Sequence, residues 1–275
     1  MTRPTLQRPC KLESVVELQD LLNRTGALLI DDGDFGKETE SAVKEAQAMA
    51  GLPATGIATP EIWAWLETHP LPSPDLSTRD VTSIVREEVS NRKRYNQVTT
   101  FPHFPGEQSG VTIGIGYDLR FQKPTNFAAD WKEELPSEEF EKLQRYLGKK
   151  GCSEDVAELH SIKVPFTAAW RVFTRATLPR YINLTVSAFS QFNELPDGCR
   201  GALVSLVYNR GTEMSGDRRR EIKAIRDHLA AHDFAKVATD LESMKRLWPN
   251  SRGLRDRRDR EAALWRKGLK NAGLA

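Results

Sequence analysis

Apolar residues near the start of the chain fall into three short periodic blocks. Val15, Val16, Leu18, Leu21 and Leu22 recur at helical spacing, and Gly26 predicts where that helix stops. After the loop Asp31-Asp32-Gly33-Asp34-Phe35-Gly36, residues Ala42, Val43, Ala46 and Gln47 share a second helical face that ends at Gly51, with Pro53 and Gly56 marking the next turn. Ile62, Trp63 and Leu66 belong to a last short helix. Residues 12 to 67 therefore read as a three-helix unit near the lower size limit for independent folding. The stretch THPLPSPDL, residues 68 to 76, has three prolines and little that could be buried, which predicts an extended, semi-rigid linker. Such a tether would keep residues 77 to 275 close to whatever the small unit holds.

The pattern changes after the linker. Ser77-Thr78-Arg79-Asp80 is a capping box, and Val81, Ile84, Val85 and Val89 set the apolar stripe of the helix it opens. At about 100° per residue Glu88 falls inside that stripe and Glu87 outside it. An acid among apolar neighbours would have its pKa raised, as a general acid working near neutral pH requires; a core glutamate paired with an arginine is the competing reading. Further on, the segment SGVTIGIGYDLR places Thr112 and Asp118 on either side of two glycines. A straight strand would separate their side chains by roughly 20 Å. A three-residue turn at Gly114, Ile115 and Gly116 instead pairs them across a hairpin with Cβ atoms about 5 Å apart. The fold class expected is mainly α, with one small β-hairpin lobe beside the three-helix unit.

Composition narrows the chemistry. The chain has 275 residues and a formal net charge of +2, but residues 1 to 77 carry −6 and the remainder +8. A basic larger domain suits an anionic wall, and no nucleic-acid motif accompanies it. Cys10, Cys152 and Cys199 are far apart and form no CxxC pair; one disulfide fits, a disulfide framework or zinc knuckle does not. Cys199 has no histidine beside it in sequence, which argues against a nucleophile. His228 and His232 have zinc-compatible spacing but lack a third ligand, and Asp31 to Asp34 lacks the spacing of a calcium loop, so no metal and no cofactor is expected. No apolar leader or membrane-length run is present, which predicts synthesis in the cytoplasm without a signal peptide and no membrane insertion.

Leu18-Gln19, Leu22, Gly26, Asp32-Gly33, Phe35-Gly36, Thr39, Ala42-Val43, Gln47, Gly51-Leu52, Gly56 and Trp63 to Leu66, in that order, resemble the three-helix peptidoglycan-binding domain. The resemblance implies noncatalytic attachment to the bacterial cell wall. In the larger domain Ile84, Glu88 and Tyr95, then Gly110 and Thr112-Ile113-Gly114-Ile115-Gly116-Tyr117, resemble the opening of the phage-type lysozymes of glycoside hydrolase family 24. Ala202 to Leu206 with Tyr208-Asn209-Arg210-Gly211 look like that fold's buried central helix. Ile225 to Trp248 look like its small helices, and Gly253 to Arg258 with Glu261 and Leu264 like its closing arginine-rich helix. One departure stands out: the family's usual aspartate position holds Gly106. Either Glu107 replaces it or Asp118 does, the latter matching the Glu, Thr, Asp order of pesticin-like bacteriocins.

The resemblance implies a muramidase cleaving the β-1,4 bond between N-acetylmuramic acid and N-acetylglucosamine. Glu88 would donate the proton, Asp118 would stay ionised, and Thr112 would orient a water, with inversion implied by related lysozymes. Tyr117, Asn209 and Tyr95 would line the sugar cleft, packing being the stronger role for Tyr95. Arg255 or Arg258 would pair with Glu88, the alternative being a solvated basic face. Bacterial peptidoglycan is the expected partner and a monomer the expected state. The chain would act in the periplasm or on the wall, as a phage endolysin released with a holin or as an antibacterial effector or bacteriocin countered by an immunity protein. A lytic transglycosylase and a noncatalytic wall-binding protein are the rival readings.

Overall fold

The three early amphipathic stretches are helices α1 (Glu13–Arg24), α2 (Lys37–Met49) and α3 (Pro60–Glu67) in the computed structural model, which describes residues 3–106 and 108–274. They are followed by α4 (Thr78–Val89), the short α5 (Arg92–Arg94), a hairpin of β1 (Thr112–Ile113) and β2 (Tyr117–Asp118), and helices α6 (Pro124–Trp131), α7 (Ser137–Gln144), α8 (Ser153–Glu158) and α9 (Phe166–Val172). The remainder is α10 (Leu178–Ala188), α11 (Cys199–Arg210), α12 (Arg220–Ala230), α13 (Phe234–Ser243) and α14 (Arg252–Asn271). The mainly helical class expected from the periodicity is the one observed, with β1 and β2 forming a two-stranded sheet. By contacts the chain divides into two compact units, one of Met1–Pro70 with Glu88–Leu178 and one of Leu71–Glu87 with Pro179–Ala275.

In the first unit, α1 to α3 close over Val15, Leu18, Leu22, Phe35, Val43 and Trp63, all buried. Each such side chain contributes about 1.5–3 kcal/mol by leaving water. Buried amides hold the loops between these helices. Gln19 Nε2 donates to Asp32 Oδ1 (3.0 Å) and to the Asp34 carbonyl (3.1 Å), and its Oε1 accepts the Gly33 N–H (3.0 Å). Asn23 exchanges two bonds with the Leu29 backbone, and Gln47 receives the Gly56 N–H while donating to the Ile57 carbonyl. Buried polar atoms satisfied in this way specify one loop path instead of penalising burial. Asp32, the middle of the acidic loop, is thus engaged by Gln19 and by the Asp34 N–H (2.9 Å).

The rest of the first unit is built around aromatic residues. Tyr95 is fully buried, meets the Phe166 ring edge-on at 4.9 Å and donates its hydroxyl proton to the Val164 carbonyl (2.9 Å). Phe127 stacks on Phe140 at 4.8 Å beside buried Trp131.

In the second unit α11 is buried from Gly201 to Val207, and α13 and α14 pack together, with Trp265 Nε1 donating to the Phe234 carbonyl (2.8 Å). Ser77 and Asp80 meet at the start of α4. Ser77 Oγ accepts the Asp80 N–H (3.2 Å), and the fully buried Asp80 carboxylate accepts the Gly198 N–H with both oxygens at 3.1 Å. Burial pushes the Asp80 carboxyl up, an effect opposed by that amide and by Ser77. Cys199 is buried, donates its thiol to the Trp265 carbonyl (3.3 Å), and is pushed up to about 12 by burial and by Asp80. A thiol held this far from ionisation is inert packing. All three cysteines are free thiols.

The proline-rich stretch departs from the expected exposed tether. Ser73 and Leu76 are buried, and Ser73 Oγ accepts the Asp75 N–H (3.1 Å), so residues 71–76 pack as part of the second unit. The three-helix domain is instead packed into the first unit. A Cβ at Gly26, whose φ is +85°, would lie 2.8 Å from Phe166 and 2.9 Å from the Trp170 ring. Only a glycine tolerates both that backbone region and that approach.

Candidate functional site

The hairpin has the register its two glycines require. Gly114 and Gly116 turn the chain with φ of +58° and +65°, and Thr112 pairs with Asp118, Ile113 with Tyr117. A third segment completes it. His103 and Thr112 exchange both backbone hydrogen bonds, at 3.0 and 2.8 Å. Because Thr112 spends its N–H and C=O on His103, its pairing with Asp118 is of the non-hydrogen-bonded kind, in which opposed side chains lie closest. His103, Thr112 and Asp118 thus stand in one row across three short extended segments.

Each member of the row is held differently. Asp118 caps the turn at 119–121. Its Oδ1 accepts the Arg120 N–H (2.9 Å), and the Gly110 N–H reaches both oxygens at 3.0 and 3.1 Å. Burial pushes its carboxyl above the usual aspartate value, while those amides pull it down. Thr112 is 4% exposed, and its Oγ1 has no hydrogen-bond partner among the described residues. A buried hydroxyl in that state costs about 1–3 kcal/mol, so it marks a place where a further polar atom belongs. His103 is half-buried. Burial holds its imidazole below the ordinary value of 6.5, opposed by the Phe101 carbonyl and by the negative fields of Asp118 and Glu88. Glu88, half-buried near the end of α4, is thereby placed in the field of the same imidazole that Asp118 faces.

The histidine carries a pH signature whose sign follows from that shift. Between its folded pKa and 6.5 the unfolded chain binds more protons, so stability attributable to His103 rises with pH across that window and is lost as pH falls through it. His103→Gln is expected to flatten this part of the stability profile. Urea unfolding between about pH 5 and 7.5 measures it, and an unchanged slope would show that the imidazole is not shielded from water.

Other residues singled out from the sequence are placed less uniformly. Glu107 lies outside the described residues. Tyr117 is not available to a sugar: it is 2% exposed, its ring meets Trp131 edge-on at 5.5 Å, and its hydroxyl donates to Asp130 Oδ2 at 2.8 Å. Tyr95 is likewise a core residue. Both tyrosines alternate onto the apolar side, a consequence of register and helix phase. Asn209, half-buried in the second unit, accepts an N–H of Arg258 at 3.3 Å.

The two arginines of the closing helix separate. Arg255 is exposed and reaches the Pro249 carbonyl, whereas Arg258 is fully buried and pairs with Glu261 at 2.8 Å. Arg257, which the sequence did not single out, shares that carboxylate at 3.2 Å. Glu87 is paired in the second unit with Arg260, at 2.6 and 2.7 Å. His228 Nδ1 lies 2.7 Å from Asp240 Oδ2, and His232 Nδ1 lies 3.6 Å from Glu194. His103 had no signal in the sequence beyond lying nine residues before Thr112, since the bridge that recruits it depends on the path of the intervening loop.

Residues 11–66 match the family model described as the putative peptidoglycan binding domain. This segment is a peptidoglycan-binding domain. Its boundaries coincide with α1 to α3 and the loops that Gln19, Asn23 and Gln47 hold, so the matched pattern is chiefly core and turn chemistry. The peptidoglycan-binding domain supports association with the cell wall and peptidoglycan as a partner. No curated protein matches the chain. Among the described residues no helix is long and apolar enough to cross a membrane.

Proposed function

We propose that this protein is a peptidoglycan hydrolase, an N-acetylmuramidase that cleaves the β-1,4 bond from N-acetylmuramic acid to N-acetylglucosamine while its peptidoglycan-binding domain engages the wall. The observation that carries the reading is the unpartnered, buried Thr112 hydroxyl beside Asp118. An acceptor carboxylate and a hydroxyl in adjacent cross-strand positions can hold one water between them, with Asp118 taking its proton as the oxygen attacks the anomeric carbon. Glu88 is the group that delivers a proton to the departing glycosidic oxygen. Asp118, clamped by two backbone amides, keeps one orientation. In this reading the chain is a bacteriolytic enzyme, an endolysin or an antibacterial effector, acting on the wall or in the periplasm.

Thr112→Val separates function from packing. The exchange replaces a buried, unsatisfied hydroxyl with a methyl of the same shape, so stability should be unchanged or raised by about 1 kcal/mol. Loss of the water's anchor should lower hydrolysis on the order of 10²-fold. The measurement is release of reducing ends from purified peptidoglycan, alongside urea unfolding. Wild-type turnover in this variant would sink the water-holding role.

A lytic transglycosylase is favoured by one observation, the engagement of Asp118 by the Gly110 and Arg120 amides, which gives that carboxylate a structural use. Such an enzyme needs one acid and no activated water. Products ending in anhydromuramic acid in place of reducing ends would select it, and Asp118→Asn, which retains the Oδ1 acceptor for both amides, would then remain active.

A further inference from the structure

A groove of about 310 Å³ opens between the peptidoglycan-binding domain and the segment after α4, wholly within the first unit. One wall is the outer face of α2 with Glu38, Ser41 and Glu45; the other carries Asn91, Lys93 and Asn96. Arg92 locks the two together. Its guanidinium lies 4.0 Å from the centre of the Phe166 ring, donates to the Gly26 carbonyl (3.2 Å) and pairs with Glu45 (3.1 Å). At the base Leu28 is buried with φ of +60°, a region that branched, non-glycine residues rarely adopt and that costs about 1–3 kcal/mol where it persists. The walls are therefore preformed, and a ligand entering between them spends little on ordering the protein.

The groove's chemistry selects among the parts of the wall. Its two sides differ in charge, with Glu38 on α2 and Lys93 on the other wall, Glu45 being paired with Arg92, and with amides from Asn91 and Asn96. Asn91 Oδ1 accepts the Arg94 N–H (2.8 Å), which fixes this side chain at the start of α5. No aromatic residue lines the groove, so the stacking surface that sugar rings use is lacking among the described residues. We propose that this groove binds the peptide stem of peptidoglycan, a short peptide carrying a free amine and free carboxylates, with the amine toward Glu38 and a carboxylate toward Lys93. The glycan itself offers no free amine, and its lactyl carboxyl groups are neutral amides wherever a stem is attached. The site would be composite, made only where the binding domain and the segment at 91–96 come together, and it rests on the wall-binding reading of the N-terminal domain, not on hydrolysis.

The test uses the full chain in three forms: wild type, Lys93→Glu and Glu38→Lys. Both substituted residues are exposed, so both variants keep the fold. Binding is measured by calorimetry with two probes, a free stem peptide without sugars and an uncharged N-acetylglucosamine oligomer. The expected result is that wild type binds the peptide and each variant binds it at least tenfold more weakly, with hydrolysis of peptide-free glycan chains unchanged. Equal peptide affinity in all three forms, or binding of the glycan oligomer that depends on Lys93, would overturn the proposal. Intact peptide binding by a chain that shows no turnover would leave the groove standing and remove the hydrolase reading instead.

Discussion

Glu88→Gln is expected to leave folding intact and to lower release of reducing ends from purified peptidoglycan by about 10²–10⁴-fold, the usual contribution of a positioned general acid. Glutamine keeps the shape and the hydrogen-bonding reach of the side chain but has no proton to deliver to the leaving oxygen. The residue is half-buried at the end of α4, so the exchange introduces no cavity. Binding to insoluble peptidoglycan should persist, since the peptidoglycan-binding domain does not contain Glu88. The informative pair of measurements is therefore sedimentation with wall fragments and product analysis on the same preparation. If the variant clears wall suspensions at the wild-type rate, Glu88 is not the acid.

Glu261→Gln is expected to destabilise the second unit by about 3–5 kcal/mol, the range found when one partner of a buried ion pair is removed. Two arginines share this carboxylate. Arg258 is fully buried and Arg257 nearly so, at 2.8 and 3.2 Å from Glu261 Oε1, which also accepts the Ser205 hydroxyl (2.7 Å). Neutralising the centre leaves two desolvated cations facing one another's field without their common counter-charge. Glu87→Gln provides the contrast. Its partner Arg260 is largely exposed, and that loss should stay within about 1 kcal/mol. Urea unfolding of the three chains gives the comparison, and similar midpoints for both variants would mean that water reaches the Glu261 cluster.

These two carboxylates differ in how far local pattern marks them. Glu88 is marked by helical phase, since four apolar neighbours at 81, 84, 85 and 89 fix the face on which position 88 stands, yet Glu87, placed outside that stripe, is half-buried as well. Glu261 and Arg257 are the opposite case. Within α14 they sit among so many charges that the helix reads as a solvated basic face, and only the packing of α11 against α14 reveals that one strip is buried. The same reasoning separates Arg255 from Arg258. Tyr117 illustrates a further limit, since alternation in a strand says which residues share a face but not which face is inward when the strand is two residues long. In the proline-rich stretch, composition predicts stiffness, whereas burial of Ser73 and Leu76 depends on what the rest of the unit leaves uncovered.

The sequence by itself determined the three-helix domain, the class of the remainder, and the Thr112 to Asp118 register, because each rests on interactions among residues close in the chain. Two glycines with positive φ, three positions in the turn and a period of two leave one way to pair the hairpin. Tertiary structure alone decided that His103 joins that pair, that the Thr112 hydroxyl is buried without a partner, and that the peptidoglycan-binding domain meets the segment at 91–96 along a groove. Those outcomes depend on which distant segments are brought alongside, and a loop's path is set by the surface it packs on, not by its own residues.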